Sequence, residues 1–314
     1  MKAFFVTLNG LYRHIDSGIA TTLHFINILA VEILLFFIQT EKFIKEDMIQ
    51  WSYGREEARL KTPALCERRL LKVKILVIPD VHLKPWMFQR ASELMKEIPA
   101  GQSVKVDRAV CLMDIADDWR QQFNLDLYVQ TYDSAIKFAK EYPNTLWCYG
   151  NHDVCYLWNQ RESGYSGIAP WTVCEKLRIL RDSLPDDSQL AYLHRIDNVL
   201  FSHGGLADAF VRRYVPDDKY NDIDTVVNTI NGFGCGEMWQ DASPIWYRPQ
   251  YYEGKMYKPE ILLQVVGHTP VEGITREENM ISCDVFSTYS TGEPIGTQEF
   301  PVIDTITWEC YGVR

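Results

Sequence analysis

Five short polar motifs contain the residues of this sequence that could do chemistry, and each motif follows an apolar run. The motifs are Asp80-Val81-His82, Asp114, Gly150-Asn151-His152-Asp153, His203-Gly204-Gly205 and Gly267-His268-Thr269-Pro270. Their carboxylate, imidazole and amide groups are oxygen and nitrogen ligands for divalent cations, and the set contains no thiolate. Because the set is too large for one ion, the sequence predicts two divalent cations that share a bridging carboxylate.

The apolar runs before the motifs predict buried β-strands, and helical segments alternate with them. The predicted strands cover residues 72–79, 108–113 and 145–149, with two more directly before His203 and His268. The predicted helices cover residues 86–97, 127–141 and the region near 171–183, and a further one begins at Asp153. This alternation indicates an α/β fold, in which polar groups at the carboxyl ends of the strands converge on one crevice.

The spacing of the motif residues suggests how they would divide between two ions. Asp80 and His82 are two apart at the end of an extended segment, so both side chains point to one face and can bind one ion. Asp114 can bridge both ions with its two carboxylate oxygens. Three further groups would complete the second site: Asn151, His203 and His268. A lone Asp or Asn is more often a turn or cap residue, but six candidates in order favour a metal site.

The order and spacing of the motifs resemble the calcineurin-like metallophosphoesterases, and within them the phosphoprotein-phosphatase branch. That pattern is GDxH, GDxxDR, GNH[DE], HGG and GH, and this chain has PDVH, MDIADD, GNHD, SHGG and GHTP between residues 79 and 270. The GNHD and GHTP motifs are similar to those of bacterial and phage members. The resemblance implies a four-layer α/β sandwich of two mixed β-sheets flanked by helices. It also implies the same six ligands and two divalent cations, either Mn²⁺ or an Fe/Zn pair.

The resemblance also implies catalytic roles for three residues outside the ligand set. His152 would protonate the leaving oxygen, and Asp117 would orient its imidazole and raise its pKa. Arg248 would hold the phosphate while a metal-activated hydroxide attacks phosphorus. The alternatives are that Asp117 caps a helix and that Arg248 is a surface arginine.

Two departures from the family pattern bear on the substrate. Pro79 and Met113 replace the glycines before the first two motif aspartates, which alters the backbone there without removing a ligand. Asp118 stands where the family has one of its two phosphate-binding arginines. Arg120 is a nearby residue that could replace this arginine.

The composition limits the class of protein and the range of partners. With 314 residues, of which 46% are hydrophobic, the chain can form one large domain with a deep core. The formal charge of −10 makes a nucleic-acid backbone a poor partner. Eight cysteines occur without a CxxC pair, and several lie in apolar runs, which favours a reducing compartment and a cytoplasmic location.

Residues 1–70 precede the motif region and are predicted to form an apolar, helical extension to a catalytic domain at 71–314. Segment 19–39 is long enough to span a bilayer, but it contains His24, Asn27 and Glu32, so its insertion free energy is near zero. Three explanations remain for it: an amphipathic helix, a membrane anchor that would tether the enzyme, or an upstream extension whose true start is Met48.

Together these features predict a phosphoesterase that hydrolyses phosphate monoesters of a phosphoprotein or a small molecule. The alternatives are a nucleotide or dinucleotide polyphosphate hydrolase and a non-catalytic, metal-binding pseudophosphatase. The long aromatic stretch 232–258 would serve as a lid or binding surface, or else as an aromatic plug over the core edge. Two antiparallel strands, near 279–286 and 300–309, are expected to close the second sheet.

Overall fold

The computed structural model describes residues 73–96, 106–252 and 254–314. The predicted extension 1–70, including the apolar segment 19–39, lies outside the described residues. Within the three described ranges, no helix is both long enough and apolar enough to cross a membrane.

Strands and helices alternate along the described chain, as the apolar runs predict. The strands are β1 (Lys74–Ile78), β2 (Arg108–Cys111), β3 (Leu146–Cys148), β4 (Leu190–Ala191), β5 (Leu193–Ile196), β6 (Val199–Ser202), β7 (Leu263–Pro270), β8 (Thr275–Glu277), β9 (Met280–Asp284), β10 (Phe300–Asp304) and β11 (Cys310–Val313). The helices are α1 (Trp86–Lys96), α2 (Leu125–Glu141), α3 (Asn151–Leu157), α4 (Pro170–Asp182), α5 (Asp208–Tyr214), α6 (Ile223–Asn231) and α7 (Cys235–Met238).

Local sequence signals explain where several helices begin. The side chain of Asn124 accepts a hydrogen bond from the backbone N–H of Leu127 (3.3 Å) at the start of α2. Asp222 does the same for Thr225 (3.2 Å) at the start of α6. Helix α4 starts with Pro170, whose fixed φ and missing N–H suit the first helical turn.

The strands form two mixed sheets. The first sheet has the order β11-β10-β1-β2-β3-β4, with parallel pairing from β1 to β4 and antiparallel pairing of β10 with β1 and with β11. The second has the order β5-β6-β7-β9-β8, in which β6, β7 and β9 are parallel and both edge strands are antiparallel. The two sheets therefore match the predicted fold class.

Alternating residues of each strand divide the core into layers. Ile75 and Val77 of β1 pack with Phe201 of β6 and Val265 of β7 in an apolar cluster drawn from both sheets. The residues between them face the other way, and Leu76 packs in a second cluster with helices α1, α2 and α4. A third cluster covers the second sheet with α5 and α6. The result is the predicted four-layer sandwich, with helices outside two stacked sheets.

The prediction for the strands after His268 was wrong. β10 pairs with β1 in the first sheet, with Lys74 opposite Asp304, instead of closing the second sheet. β9 lies parallel to β7, and its antiparallel partner is β8. The sequence of a five-residue apolar strand does not show which sheet the strand joins. The strand pairs with whichever sheet edge the rest of the fold leaves open beside it.

Part of segment 232–258 packs as an aromatic plug, while its role as a lid stays a prediction. Met238, Ile245, Tyr247 and Tyr257 are buried in the cluster that covers the second sheet. The carbonyl of Pro244 accepts a 2.6 Å hydrogen bond from the backbone N–H of Gly204, in the loop after β6. The plug therefore stabilises the loop that carries His203.

Candidate metal centre

The carboxyl ends of β1, β2, β3 and β6, together with β7 itself, bring the six predicted ligands together. The loops after β1 and β2 are hydrogen-bonded side by side, since the N–H of His82 donates to the carbonyl of Asp114 at 2.7 Å. Two groups of side chains have ligand atoms within 4.8 Å of one another. One consists of Asp80, His82 and Asp114, and the other of Asp114, His203 and His268. The carboxylate shared by both groups is Asp114, the residue predicted to bridge.

Distances within the second group show which atoms face a common centre. His203 Nε2 lies 3.1 Å from Asp114 Oδ2, 3.0 Å from Asn151 Oδ1 and 3.1 Å from His268 Nδ1. Asn151 therefore joins this group through its amide oxygen. In the first group, His82 Nε2 is 3.9 Å from the same Oδ2 of Asp114.

Each of the three candidate histidine ligands has its other ring nitrogen bound to a backbone carbonyl. A carbonyl only accepts, so the nitrogen that faces it carries a proton, and in the neutral imidazole the opposite nitrogen has the free lone pair that a metal needs. Such bonds fix the tautomer and ring orientation of metal-bound histidines. The three bonds run from His82 Nδ1 to Asp117 O (3.0 Å), from His203 Nδ1 to Leu112 O (2.9 Å) and from His268 Nε2 to Trp246 O (3.1 Å).

Asp80 carries the clearest sign that these residues fit a cation. Its Oδ1 accepts a hydrogen bond from the N–H of His268 (2.8 Å), but its buried Oδ2 has no hydrogen-bond partner among the described residues. Burial, and then the nearby carboxylates of Asp284 and Asp114, raise the pKa of Asp80 well above its usual value. An unpaired buried carboxylate oxygen is costly, and a divalent cation would satisfy it.

Three of the six candidate ligands, and Met113 next to one of them, have their backbone in the left-handed region. His82, Asp114 and His268 have φ values of 40°, 42° and 62°, and Met113 has 58°. Each such residue costs roughly 1–2 kcal/mol when it is not glycine. Met113 is one of the two residues that replace a family glycine, so this chain adopts the glycine-type turn at a cost in backbone energy. Strain of this kind is concentrated at functional sites.

Two glycines allow the carboxylates to approach the backbone. A Cβ atom on Gly150 would lie 2.0 Å from Asp114 Oδ1, and one on Gly267 would lie 2.0 Å from Asp80 Oδ2. Neither distance is physically possible, so any side chain would displace a carboxylate.

We therefore expect Gly267→Ala to lower metal affinity on the order of 10-fold or more, because it displaces the carboxylate of Asp80. Metal content after dialysis, measured by inductively coupled plasma mass spectrometry, tests this. Gly236→Ala is the matched control, since a Cβ there meets nothing within 4 Å. Equal metal content in the two variants would contradict the close approach of Asp80.

His152 lies beside the candidate ligands. Its Nδ1 is 3.0 Å from Asp117 Oδ2, and its backbone N–H donates to Asp114 Oδ1 at 2.9 Å. Burial lowers the pKa of His152, but the carboxylates of Asp114 and Asp117 outweigh burial and raise it to about 9. Bound cations would offset the charge of Asp114, whereas the effect of Asp117 would remain. The hydrogen bond to Asp117 thus favours the protonated imidazole.

Arg248 also reaches the site. Its Nη1 donates to the carbonyl of His268 (2.6 Å) and contacts Thr269 Oγ1 (3.3 Å), and the side chain lines a cavity of about 370 Å³ together with His152 and Asp114. A larger groove, of about 640 Å³, lies between α1 and α2 and contains none of the candidate ligands.

The structure does not bring Arg120 to the cavity. Arg120 is exposed, with a φ of 62°, and it is absent from the cavity wall. Asp118 lines the wall instead, and its Oδ2 forms an ion pair with Lys84 Nζ at 3.2 Å. Its Oδ1 accepts hydrogen bonds from the N–H of Trp119 (2.8 Å) and from Thr288 Oγ1 (3.0 Å).

Residues 73–280 match the family described as calcineurin-like phosphoesterase. The chain belongs to this family. It is a metallophosphoesterase, a hydrolase that acts on phosphoric ester bonds and uses divalent metal ions. The narrower resemblance to bacterial and phage members stays a prediction.

Several solved structures are similar to this phosphoesterase at low identity. A cold-active protein-tyrosine phosphatase from a psychrophilic Shewanella species is 16% identical, with a TM-score of 0.42, covering 77% of this chain and 81% of that chain. A protein serine/threonine phosphatase from Saccharomyces cerevisiae is 17% identical, with a TM-score of 0.36 and coverages of 67% and 66%. A metallophosphoesterase from Sphaerobacter thermophilus is 15% identical, with a TM-score of 0.33 and coverages of 77% and 88%. No curated protein sequence matches significantly.

Sequence reasoning missed several residues that surround this centre. Asp284 is buried directly at the end of β9 and lines the cavity, where it accepts hydrogen bonds from the N–H (3.2 Å) and Oγ (2.9 Å) of Ser287. The rule that locates ligands at strand ends would have found it. Tyr128 and Tyr156 both reach Asp117 from helices, and no motif in the sequence signals them.

Proposed function

We propose that this phosphoesterase hydrolyses phosphate monoesters, of a phosphoprotein or a small molecule, with His152 as the general acid. The observation that carries the proposal is the pair of candidate ligand groups joined by Asp114, with His152 and Asp117 hydrogen-bonded beside them in one cavity. Nucleophile activation and leaving-group protonation are the two tasks of monoester hydrolysis, and this arrangement provides for both.

Six residues would hold two divalent cations, with Asp114 contributing to both. Their oxygen and nitrogen atoms suit Mn²⁺ or an Fe/Zn pair. When bound, the cations would supply Lewis acidity and a nucleophile at neutral pH. The six proposed ligands are Asp80, His82, Asp114, Asn151, His203 and His268.

Two side chains of the protein would act on the phosphate ester itself. Arg248 is held by the carbonyl of His268, so its guanidinium is positioned at the cavity to neutralise the equatorial phosphate oxygens. His152 would give its proton to the leaving oxygen, while Asp117 keeps the imidazole oriented through Nδ1. The orienting contact leaves Nε2 as the proton donor.

A nucleotide or dinucleotide polyphosphate is the second candidate substrate. Trp119 and Tyr289 line the same cavity with rings that are about half exposed, at 51% and 52%, so a base could stack on either. A non-catalytic role is less consistent with the site, because a binding module has no use for the hydrogen-bonded pair of His152 and Asp117.

Turnover assays with Mn²⁺ test the proposed activity. We expect the protein to hydrolyse p-nitrophenyl phosphate and a phosphopeptide, and to lose this activity after chelation. Preferential cleavage of a dinucleoside polyphosphate would support the second candidate. Stoichiometric metal binding without hydrolysis of any phosphate ester would identify a pseudophosphatase.

We also propose that residues 71–314 form the catalytic domain in a cytoplasmic enzyme, with 1–70 as an extension. The cysteines of the described residues are all unpaired, which suits a reducing compartment.

A chain that begins at Met48 should fold and keep the metal-dependent activity of the full chain. Every proposed site residue lies after residue 79, so the removed segment contributes no chemistry. Circular dichroism and turnover with Mn²⁺, measured beside the full chain, check this. Loss of folded protein would show that segment 19–39 is needed by the catalytic domain.

A further inference from the structure

The side chain of Asp117 is bound by three donors from three different positions. Its Oδ1 accepts hydrogen bonds from the hydroxyls of Tyr128 (2.6 Å) and Tyr156 (2.5 Å), while its Oδ2 faces Nδ1 of His152 (3.0 Å). Asp117 and Tyr128 are fully buried, and Tyr156 is nearly so. The two phenols come from different helices, α2 and α3.

The direction of these hydrogen bonds is fixed by a neighbouring amide. The backbone N–H of Ser166 donates to the hydroxyl oxygen of Tyr156 at 2.8 Å, so the phenol proton of Tyr156 is directed at Asp117. Burial, and then the Asp117 carboxylate, raise the pKa of Tyr128 and Tyr156 well above the usual phenol value. Both phenols therefore stay protonated and act as donors.

Because both phenols donate to Oδ1 of Asp117, only Oδ2 is left for a hydrogen bond with His152. With Oδ1 occupied, Asp117 can meet His152 only through Oδ2, and a carboxylate held by three donors has little freedom to rotate. Asp117 then holds the imidazole through Nδ1, and Nε2 is left as the proton donor. Without the phenols, Oδ1 and Oδ2 could exchange, and the His152 ring could turn with them.

We propose that Tyr128 and Tyr156 are positioning residues that hold Asp117, and through it the general acid His152, for leaving-group protonation. This inference rests on the proposed function of His152. It assigns the two tyrosines no contact with substrate.

The hydroxyls of the two tyrosines can be removed without disturbing the packing of their rings. Tyr128 and Tyr156 belong to the apolar cluster between the first sheet and its helices, and the Tyr156 ring stacks on Tyr165 with 4.4 Å between centroids. Phenylalanine keeps these contacts and removes only the hydroxyl. Tyr128→Phe and Tyr156→Phe should therefore fold.

The test compares two leaving groups in the Mn²⁺-loaded full chain. For glycerol 2-phosphate, whose alkoxide must be protonated, we expect kcat to fall about 3–10-fold in each single variant and more in the double variant. For p-nitrophenyl phosphate, whose leaving group is already a weak base, kcat should change less than about 2-fold. KM and metal content should stay as in the parent, because neither tyrosine is a proposed ligand.

Tyr132→Phe is the matched control. Tyr132 lies one turn from Tyr128 on α2, is equally buried, and donates its hydroxyl to Asp153 at 2.9 Å instead of to Asp117. Tyr132→Phe also removes one buried phenol hydrogen bond, so it should change kcat for both substrates by a similar factor.

In a His152→Ala background, Tyr156→Phe should cause no further selective loss with glycerol 2-phosphate.

The outcomes separate this inference from the proposed function. If His152→Ala shows the selective loss with glycerol 2-phosphate but the two tyrosine variants do not, the positioning role is wrong and the general acid stands. If the tyrosine variants lower both rates equally, as Tyr132→Phe does, their role is structural and the inference is overturned. A His152→Ala variant without any selective loss would overturn the general acid and the positioning role together.

Discussion

Asp114→Asn is expected to empty both metal positions and to reduce hydrolysis by at least about 10³-fold. Asp114 is the residue common to both candidate ligand groups, and asparagine replaces its charged carboxylate with a neutral amide. A cation site is worth several kcal/mol of transition-state stabilisation, and each 1.36 kcal/mol is tenfold in rate, so a loss on this order follows. The side-chain size is conserved, and the fold should persist.

His268→Ala gives the comparison that isolates the bridging role. His268 belongs to only one candidate group, so its removal should weaken one metal position and leave the other occupied. Metal content per chain, measured by mass spectrometry after gel filtration, should be near zero for Asp114→Asn and near one for His268→Ala. Two ions per chain and normal turnover in Asp114→Asn would show that Asp114 does not bridge.

The parts of the site that lie at strand ends could be predicted from the sequence. An apolar run of strand length followed by Asp, His or Asn places that side chain at the edge of the sheet, so Asp80, Asp114 and His203 were placed by local pattern alone. The order of the motifs then identified the family. These signals are short in sequence and need no knowledge of distant contacts.

The parts that depend on distant contacts could not be predicted. β10 joins β1 across more than two hundred residues, and its apolar pattern is the same for either sheet. Tyr128 and Tyr156 lie on helix faces that also look like ordinary core, and only the folded structure shows that their hydroxyls end on Asp117.

The surroundings of Asp118 also could not be predicted from the sequence. The sequence showed that an arginine position holds a carboxylate, but not how the protein accommodates it. The structure pairs Asp118 with Lys84, whose Nζ also donates to the carbonyl of His82 at 3.0 Å. The charge of Asp118 on the cavity wall is thereby offset by Lys84. Among the described residues, Arg248 is the arginine that lines this cavity.

Substitution of His152 should produce the largest difference between substrates. Protonation of the leaving oxygen matters little for p-nitrophenolate, which is a weak base, and greatly for the alkoxide of serine or glycerol. His152→Ala should therefore slow alkyl phosphate hydrolysis by an additional factor on the order of 10²–10³ relative to p-nitrophenyl phosphate. Asp117→Asn should give the same pattern more mildly, because it disturbs the orientation of the imidazole and keeps the proton donor.

The measurement is kcat for both substrates in parent and variant, with metal content determined on the same samples. Metal content should be nearly unchanged in His152→Ala, because the imidazole of His152 is absent from both candidate ligand groups. Its contact with Asp114 is made by the backbone N–H, at 2.9 Å, and alanine retains that group. Equal losses for the two leaving groups would mean that His152 acts by binding phosphate, and a loss of metal would mean that it helps to hold the cations. Only a selective loss with full metal content supports proton transfer to the leaving oxygen.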